Sequence, residues 1–153
     1  MSGRTAEPAR YLRPGTLQRT LNGAVAAATR MGFSVWGSRV LEVQGRRSGV
    51  ARRVPVNLLV LDGSEYLVAP RGETEWVRNV RAARGELDLL VGRRREHRRA
   101  DELADDDKVP VLRAYLRRWK FEVGTFFGGI GPDAPDAELR AAAPGYPVFR
   151  LRR

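Results

Sequence analysis

Apolar and polar residues alternate with period two over residues 39–44 (Arg-Val-Leu-Glu-Val-Gln), the signature of a half-buried strand. A β-branched and aliphatic run follows at 53–61 and ends in Asp62-Gly63, a hairpin signal that leads into a strand over 65–69. Pro70-Arg71-Gly72-Glu73 breaks that strand. The spacing then predicts a short helix over 75–83, capped by Thr74, with Trp76, Val80 and Ala83 on one face. Two more strands are expected, 86–91 and a polar one over 96–100, joined by the basic turn Gly92-Arg93-Arg94-Arg95. Val111, Leu112, Tyr115, Leu116 and Trp119 fall on one stripe of a helix that runs to about Phe121. A short helix or turn over 137–143 and a closing strand over 146–151 complete the chain. The apolar, glycine-rich stretch 124–129 reads as a pocket lining or a flexible lid, or as a simple turn.

The N-terminal side has a different character. Residues 1–13 carry Arg4, Arg10 and Arg13 among few apolar positions and read as a flexible basic arm, closed by Pro14-Gly15. Thr16 is a suitable N-cap for a helix with Leu17, Leu21, Ala24, Val25 and Ala28 at helical spacing and Gly32 as its stop. Phe33, Val35 and Trp36 then lead into the first strand as core residues. The organisation expected is an arm over 1–13 and one domain over 14–153. Its class is α+β, mainly β: about six antiparallel strands in hairpins with two or three helices, a small barrel and not a doubly wound sheet.

Composition narrows the chemistry. A chain of 153 residues is long enough for a real core. It contains no cysteine, which excludes disulfides, thiolate metal sites and a cysteine nucleophile and suits a reducing cytoplasm. The single histidine, His97, cannot build a multi-histidine metal site, and it reads as an outward strand residue. No apolar run reaches the roughly 18 residues of a membrane span, and no export signal is convincing. A cytoplasmic protein is expected, with peripheral contact to the inner face of the membrane through the N-terminal helix left open. Twenty-eight basic against 18 acidic residues give a net charge of +10, nearly all of the cations being arginine. The planar guanidinium fork suits phosphate and carboxylate, so an anionic partner is expected.

The candidate site is the turn Gly45-Arg46-Arg47-Ser48-Gly49-Val50-Ala51-Arg52-Arg53 between the first two strands. Gly45 and Gly49 can take positive φ, which lets backbone N–H groups face one point amid four arginines and a serine hydroxyl, an anion cradle. The competing reading is a solvated turn that keeps a sheet edge soluble. There is no nucleophile-elbow serine, no Walker loop and no recognisable acid pair, and Glu73 and Glu75 read as first-turn helix acids. What remains is the inventory of a protein that holds a cofactor and lets it react.

Gly45 to Arg52, with Val54-Pro55-Val56, Val68-Ala69-Pro70-Arg71-Gly72 and Trp76-Val77-Arg78-Asn79-Val80-Arg81-Ala82, resembles the deazaflavin-dependent nitroreductase family of actinobacterial oxidoreductases. The resemblance runs from about residue 41 to 91, with the strand at Pro147-Val148-Phe149 also in pattern. It implies a split β-barrel akin to flavin-mononucleotide-binding proteins, and coenzyme F-420 as cofactor. Carried over by position, Arg46, Arg47, Ser48 and Arg52 would hold the cofactor phosphate and acidic tail. Val54, Pro55 and Val56 would lie along the ring system, Val68, Ala69, Pro70 and Arg71 would flank it, and Trp76, Val77 and Asn79 would close the pocket. Arg53, Glu75 and Arg78 neighbour these motifs.

The resemblance also implies hydride transfer from reduced deazaflavin to a small electron-poor acceptor: a quinone, an enone or a nitro compound. Where members often place tyrosines toward the substrate, this chain offers Phe121, Phe126 and Phe127, so the proton donor is unassigned, with Tyr66 and Tyr115 as candidates. The alternatives are a split barrel that binds flavin mononucleotide (FMN), a cofactor carrier without turnover, and a basic nucleic-acid-binding barrel; nucleic acid is not the expected partner. Monomer and homodimer are both open.

Overall fold

The computed structural model describes residues 38–153, with the side chains of 120–125 set aside; the basic arm, the helix expected over 16–32 and Phe33, Val35 and Trp36 lie outside the described residues, as does the side chain of Phe121. Six strands, β1 (Ser38–Gln44), β2 (Ala51–Leu61), β3 (Ser64–Val68), β4 (Glu86–Val91), β5 (Arg94–Glu102) and β6 (Val148–Arg152), pair antiparallel throughout. They close into a barrel in the order β1-β2-β3-β6-β5-β4, with β4 returning to β1. Among the described residues three α-helices accompany the barrel: α1 (Glu75–Ala82), α2 (Val109–Val123) and α3 (Asp136–Ala142). The fold class expected from the pattern is the one observed.

Directly paired residues face the same way, so the register sorts each strand into an inward and an outward row. The inward rows supply Leu41, Val43, Leu58, Leu67, Leu87, Leu89, Ala100, Phe149 and Leu151. Val77 and Val80 of α1 join this cluster with no exposed surface, so α1 packs its apolar face into the barrel core. Each such valine stabilises the packing by about 1.5–3 kcal/mol. The outward rows of β2, β3 and β6 contribute Leu59, Val68 and Val148 to a second cluster, where Leu112, Tyr115, Leu116 and Trp119 of α2 meet Leu139 of α3. The stripe expected on α2 is thus core, and the helix begins two residues earlier than its first stripe residue.

The inward rows also carry charge. Glu65 pairs with Leu151 and Arg98 with Leu87, both inward-facing partners, and the Arg98 Nε donates to Glu65 Oε1 at 2.8 Å. The Arg98 side chain is 7% exposed and that of Glu65 24%, so the ion pair is partly buried, with the carboxylate at its more open end. Outside, Glu42 takes hydrogen bonds from Arg53 and Arg95, Arg95 also reaches Asp88, and the ring of His97 bridges Asp88 and Glu86. His97 is exposed on the outward row as its strand pattern implies, and Arg53 is committed to this ladder.

Local details depart from expectation in places. β2 starts at Ala51, two residues before the expected Arg53, so Arg52 is a strand residue paired with Val43. Thr74 sits at the N-cap of α1 in extended geometry, yet its hydroxyl makes no cap bond and Oγ1 is buried without a partner among the described residues. The stretch 124–129 is no lid: Gly124–Phe127 forms a 3-10 turn, and Phe127 is buried against Tyr146, with ring centroids 4.1 Å apart and planes 7° from parallel. Gly85 follows α1 at φ +86°, and a Cβ there would lie 2.2 Å from the Ala100 carbonyl oxygen, so only glycine lets the chain pass so close to β5.

Candidate functional site

The turn between β1 and β2 is held from within. The Gly45 N–H donates to the Val50 carbonyl at 2.9 Å, Gly49 N–H to the Gly45 carbonyl at 2.9 Å, and Val50 N–H to Ser48 Oγ at 3.1 Å. Of the two flanking glycines only Gly49 takes positive φ, at 73°. Gly45 is required for another reason: a Cβ there would stand 2.9 Å from the Val50 carbonyl oxygen. The backbone of Gly45, Gly49 and Val50 is therefore spent on closing the turn, and a cradle of converging N–H groups is not its main asset.

The turn is also held from outside, by α1. The Arg46 backbone N–H and Nη1 both donate to Asn79 Oδ1, at 3.1 and 2.9 Å, and the same Nη1 donates to Glu75 Oε1 at 2.8 Å. Asn79 is 5% exposed and Glu75 is 60% exposed at its side chain. Arg46 is thus a bridge between the basic turn and the tryptophan-bearing helix, where the motif had suggested a phosphate ligand. Glu75 and Asn79 lie one helical turn apart on the same side of α1, and that i, i+4 spacing is the sequence signal that could have marked them as a pair. The hydrogen bond from Arg46, aided by the charges of Arg46, Arg47 and Arg78, holds the Glu75 carboxyl below the usual carboxylate range against the opposing pull of burial.

With Arg46 committed, the cations left at the turn are Arg47 and Arg52, both exposed and neither in a salt bridge among the described residues. Arg52 belongs to the inward row of β2, opposite Val43. Down that row exposure falls from Arg52 through half-buried Val54 and Val56 to buried Leu58, while Val54, Val56 and Trp76 pack on the barrel cluster. Trp76 lies 5.9 Å from Phe149, centroid to centroid. An apolar wall therefore runs from the barrel core out to a pair of guanidinium groups. Such a surface suits a ligand with a flat apolar part and an anionic part.

The other residues named from the sequence fall into two sets. Pro55, Pro70 and Arg71 are half-buried, and the Arg71 guanidinium lies 6.0 Å from the Phe126 ring. Val68, Ala69, Val77 and Asn79 are buried in the chain's own packing, Val68 in the outer cluster and Ala69 and Val77 in the barrel, so their side chains are supports. Neither tyrosine candidate faces this wall: Tyr115 is 2% exposed in the outer cluster, and Tyr66 packs against the same cluster. Ser48 is exposed, with its hydroxyl accepting from Val50. Among the described residues no group of carboxylates and histidine is arranged to hold a metal, and no helix is long and apolar enough to cross a membrane.

The closed antiparallel barrel, with an inward row of β2 that is apolar and ends in arginine, defines a split-barrel protein. Solved structures of similar fold include one described as a domain-swapped dimer, with TM-score 0.56 and 18% identity over 89% of this chain and 93% of that one. Another is an F420-H2 Dependent Reductase (FDR-A), with TM-score 0.52 and 19% identity over 76% of this chain and 94% of that one. A third is Atu2129 from Agrobacterium tumefaciens, of unknown function, with TM-score 0.53 and 16% identity over 96% of this chain and 58% of that one. No curated protein matches. The model of the F420H(2)-dependent quinone reductase family matches residues 16–122, and the chain belongs to that family. It is an oxidoreductase, and its cofactor is the deazaflavin coenzyme F-420.

Proposed function

We propose that the wall between the β1–β2 turn and α1 holds reduced F-420 for transfer to a quinone. Arg47 and Arg52 receive the phosphate and acidic tail, helped by Ser48; Val54, Pro55 and Val56 lie along the ring, Pro70 and Arg71 flank it, and Trp76 closes one side. Val68, Ala69, Val77 and Asn79 back these residues from the core, and Arg46 fixes the turn to the helix. The observation that carries this reading is the shared acceptor: Asn79 Oδ1 takes both the backbone and the side-chain donor of Arg46, which brings the basic turn and the Trp76 helix to one place.

The donor set fits the cofactor. Two guanidinium groups without carboxylate partners among the described residues match an anionic tail, each charge-assisted hydrogen bond contributing about 1.5–3 kcal/mol. The half-buried valines offer an apolar face from which water is partly excluded. When bound, reduced F-420 supplies the hydride. The chain's own residues bind, orient and desolvate, and orientation alone can account for several kcal/mol of a barrier. Tyr66 and Tyr115 lie in or against the outer core, so the proton that completes quinone reduction is drawn from solvent at the exposed mouth.

Mixing protein loaded with reduced F-420 and menadione in a stopped-flow instrument tests the reading. Oxidation of the cofactor at a protein-dependent rate, together with tighter binding of F-420 than of FMN, supports it. Tighter binding of FMN, or no acceleration, overturns it. The nucleic-acid alternative finds little support, because among the described residues the large apolar side chains that stand exposed are Val50 and Val60, not aromatics on which bases could stack.

A further inference from the structure

The carboxylate of Glu75 stands among the arginines at the mouth of the proposed site. Its Oε1 accepts from Arg46 Nη1 at 2.8 Å, with Arg47 and Arg78 near enough for their charges to act on it. No other carboxylate forms a salt bridge with Arg46, Arg47, Arg52 or Arg78 among the described residues. One acid thus faces three cations, Arg46, Arg47 and Arg78.

A surface ion pair can serve to position its partner, but that role is already filled. Arg46 is fixed by Asn79, which is buried and accepts from both the backbone and the guanidinium, whereas Glu75 is 60% exposed and holds only one of the same nitrogens. Removing the Glu75 charge would leave Arg46 anchored. It would also raise the positive potential at Arg47 and Arg52, and free one donor direction on Nη1.

We infer that Glu75 is a built-in counter-anion that competes with the phosphate and acidic tail of the cofactor, so that this chain binds F-420 less tightly than its arginines would allow. This rests on the cofactor site proposed above. Its effect is to weaken the grip on the anionic end while leaving the ring contacts untouched. The competition acts through charge, so a carboxylate at the same position on a shorter stem should largely preserve it.

The test is a fluorescence titration at low salt of the wild-type chain, Glu75→Gln and Glu75→Asp, each with F-420 and with the phosphate-free deazaflavin chromophore. Glu75→Gln is expected to lower the Kd for F-420 by about three- to tenfold, the size of one like-charge repulsion at a partly screened surface. Glu75→Asp should stay near wild type. None of the three proteins should differ in affinity for the phosphate-free chromophore. If Glu75→Gln leaves F-420 binding unchanged or weakens it while wild type binds well, the competition is overturned and the cofactor site stands. If wild type fails to bind F-420, the cofactor site is overturned and this inference falls with it.

Discussion

Replacing Asn79 by alanine removes the acceptor that joins the β1–β2 turn to α1. Two hydrogen bonds are lost: one from the Arg46 guanidinium at 2.9 Å and one from its backbone N–H at 3.1 Å. A charge-assisted bond contributes about 1.5–3 kcal/mol and a backbone one about 0.5–1.5 kcal/mol. The low ends apply, because the Arg46 side chain is 19% exposed and keeps its bond to Glu75. Alanine also returns roughly 0.5 kcal/mol through its better helix propensity. A net loss of about 1.5–2 kcal/mol is therefore expected, equivalent to a fall in Tm of about 3–8 °C for a chain of this size. Urea unfolding at neutral pH measures the first number and a thermal melt the second. The turn would also lose its register against Trp76, so the affinity for F-420 should drop about tenfold in parallel. Asn79→Asp, which keeps an acceptor for Arg46, should retain stability but bind F-420 more weakly than wild type, since it adds a negative charge beside the anionic tail. A stability change under about 0.5 kcal/mol in Asn79→Ala, with unaltered affinity, would refute the idea that this side chain couples turn and helix.

Arg98→Met removes the partner of the part-buried Glu65 carboxylate, and a loss of about 1.5–3 kcal/mol is expected on urea unfolding, part of it recovered when Glu65→Leu is added; a neutral single variant would show that water replaces the guanidinium. Acid should destabilise through Glu42, whose carboxyl is held low mainly by hydrogen bonds from Arg95 and then Arg53, and through Asp88, where hydrogen bonds from Arg95 and His97 outweigh the opposing effect of burial. A depressed folded pKa gives stability that is present above the unfolded values of 4.5 and 3.8 and lost as pH falls through the folded ones, so the urea midpoint should decline on acidification below about pH 4.5. His97 works in the other direction: hydrogen bonds to Asp88 and Glu86 raise its pKa, so its stabilisation is full below the unfolded value of 6.5 and fades as pH rises through the folded one. An NMR titration of the single histidine should show a midpoint above 6.5 that returns toward it in Asp88→Asn.

The strands and the α2 stripe were legible because burial imposes a period on the sequence, and the period survives translation into structure wherever one face is dry. Closure of the barrel was less so. The pairing of β3 with β6 joins residues 65–68 to 148–151 across most of the domain, and nothing local in either segment specifies its partner. The start of β2 was hidden for a related reason: Ala51 and Arg52 are exposed and look like turn, yet their backbones pair with Gln44 and Val43.

At the site, residue types were readable and roles were not. Arg46 and Arg47 are neighbours of identical chemistry, and only the fold shows that one bonds to Asn79 and Glu75 while the other stays exposed. Thr74 has the right type for a cap but bonds nothing there, since cap formation depends on a rotamer that the sequence does not encode. Glu75 is the first-turn helix acid it reads as, and it is also the carboxylate that pairs with Arg46.

The account turns on whether the two exposed arginines of the β1–β2 turn grip the anionic end of F-420, and a binding titration of Arg47→Ala/Arg52→Ala against wild type measures this most directly. Loss of both should weaken F-420 binding by at least about a hundredfold while leaving the phosphate-free chromophore bound as before. Equal affinity of the double variant and wild type for F-420 would contradict it.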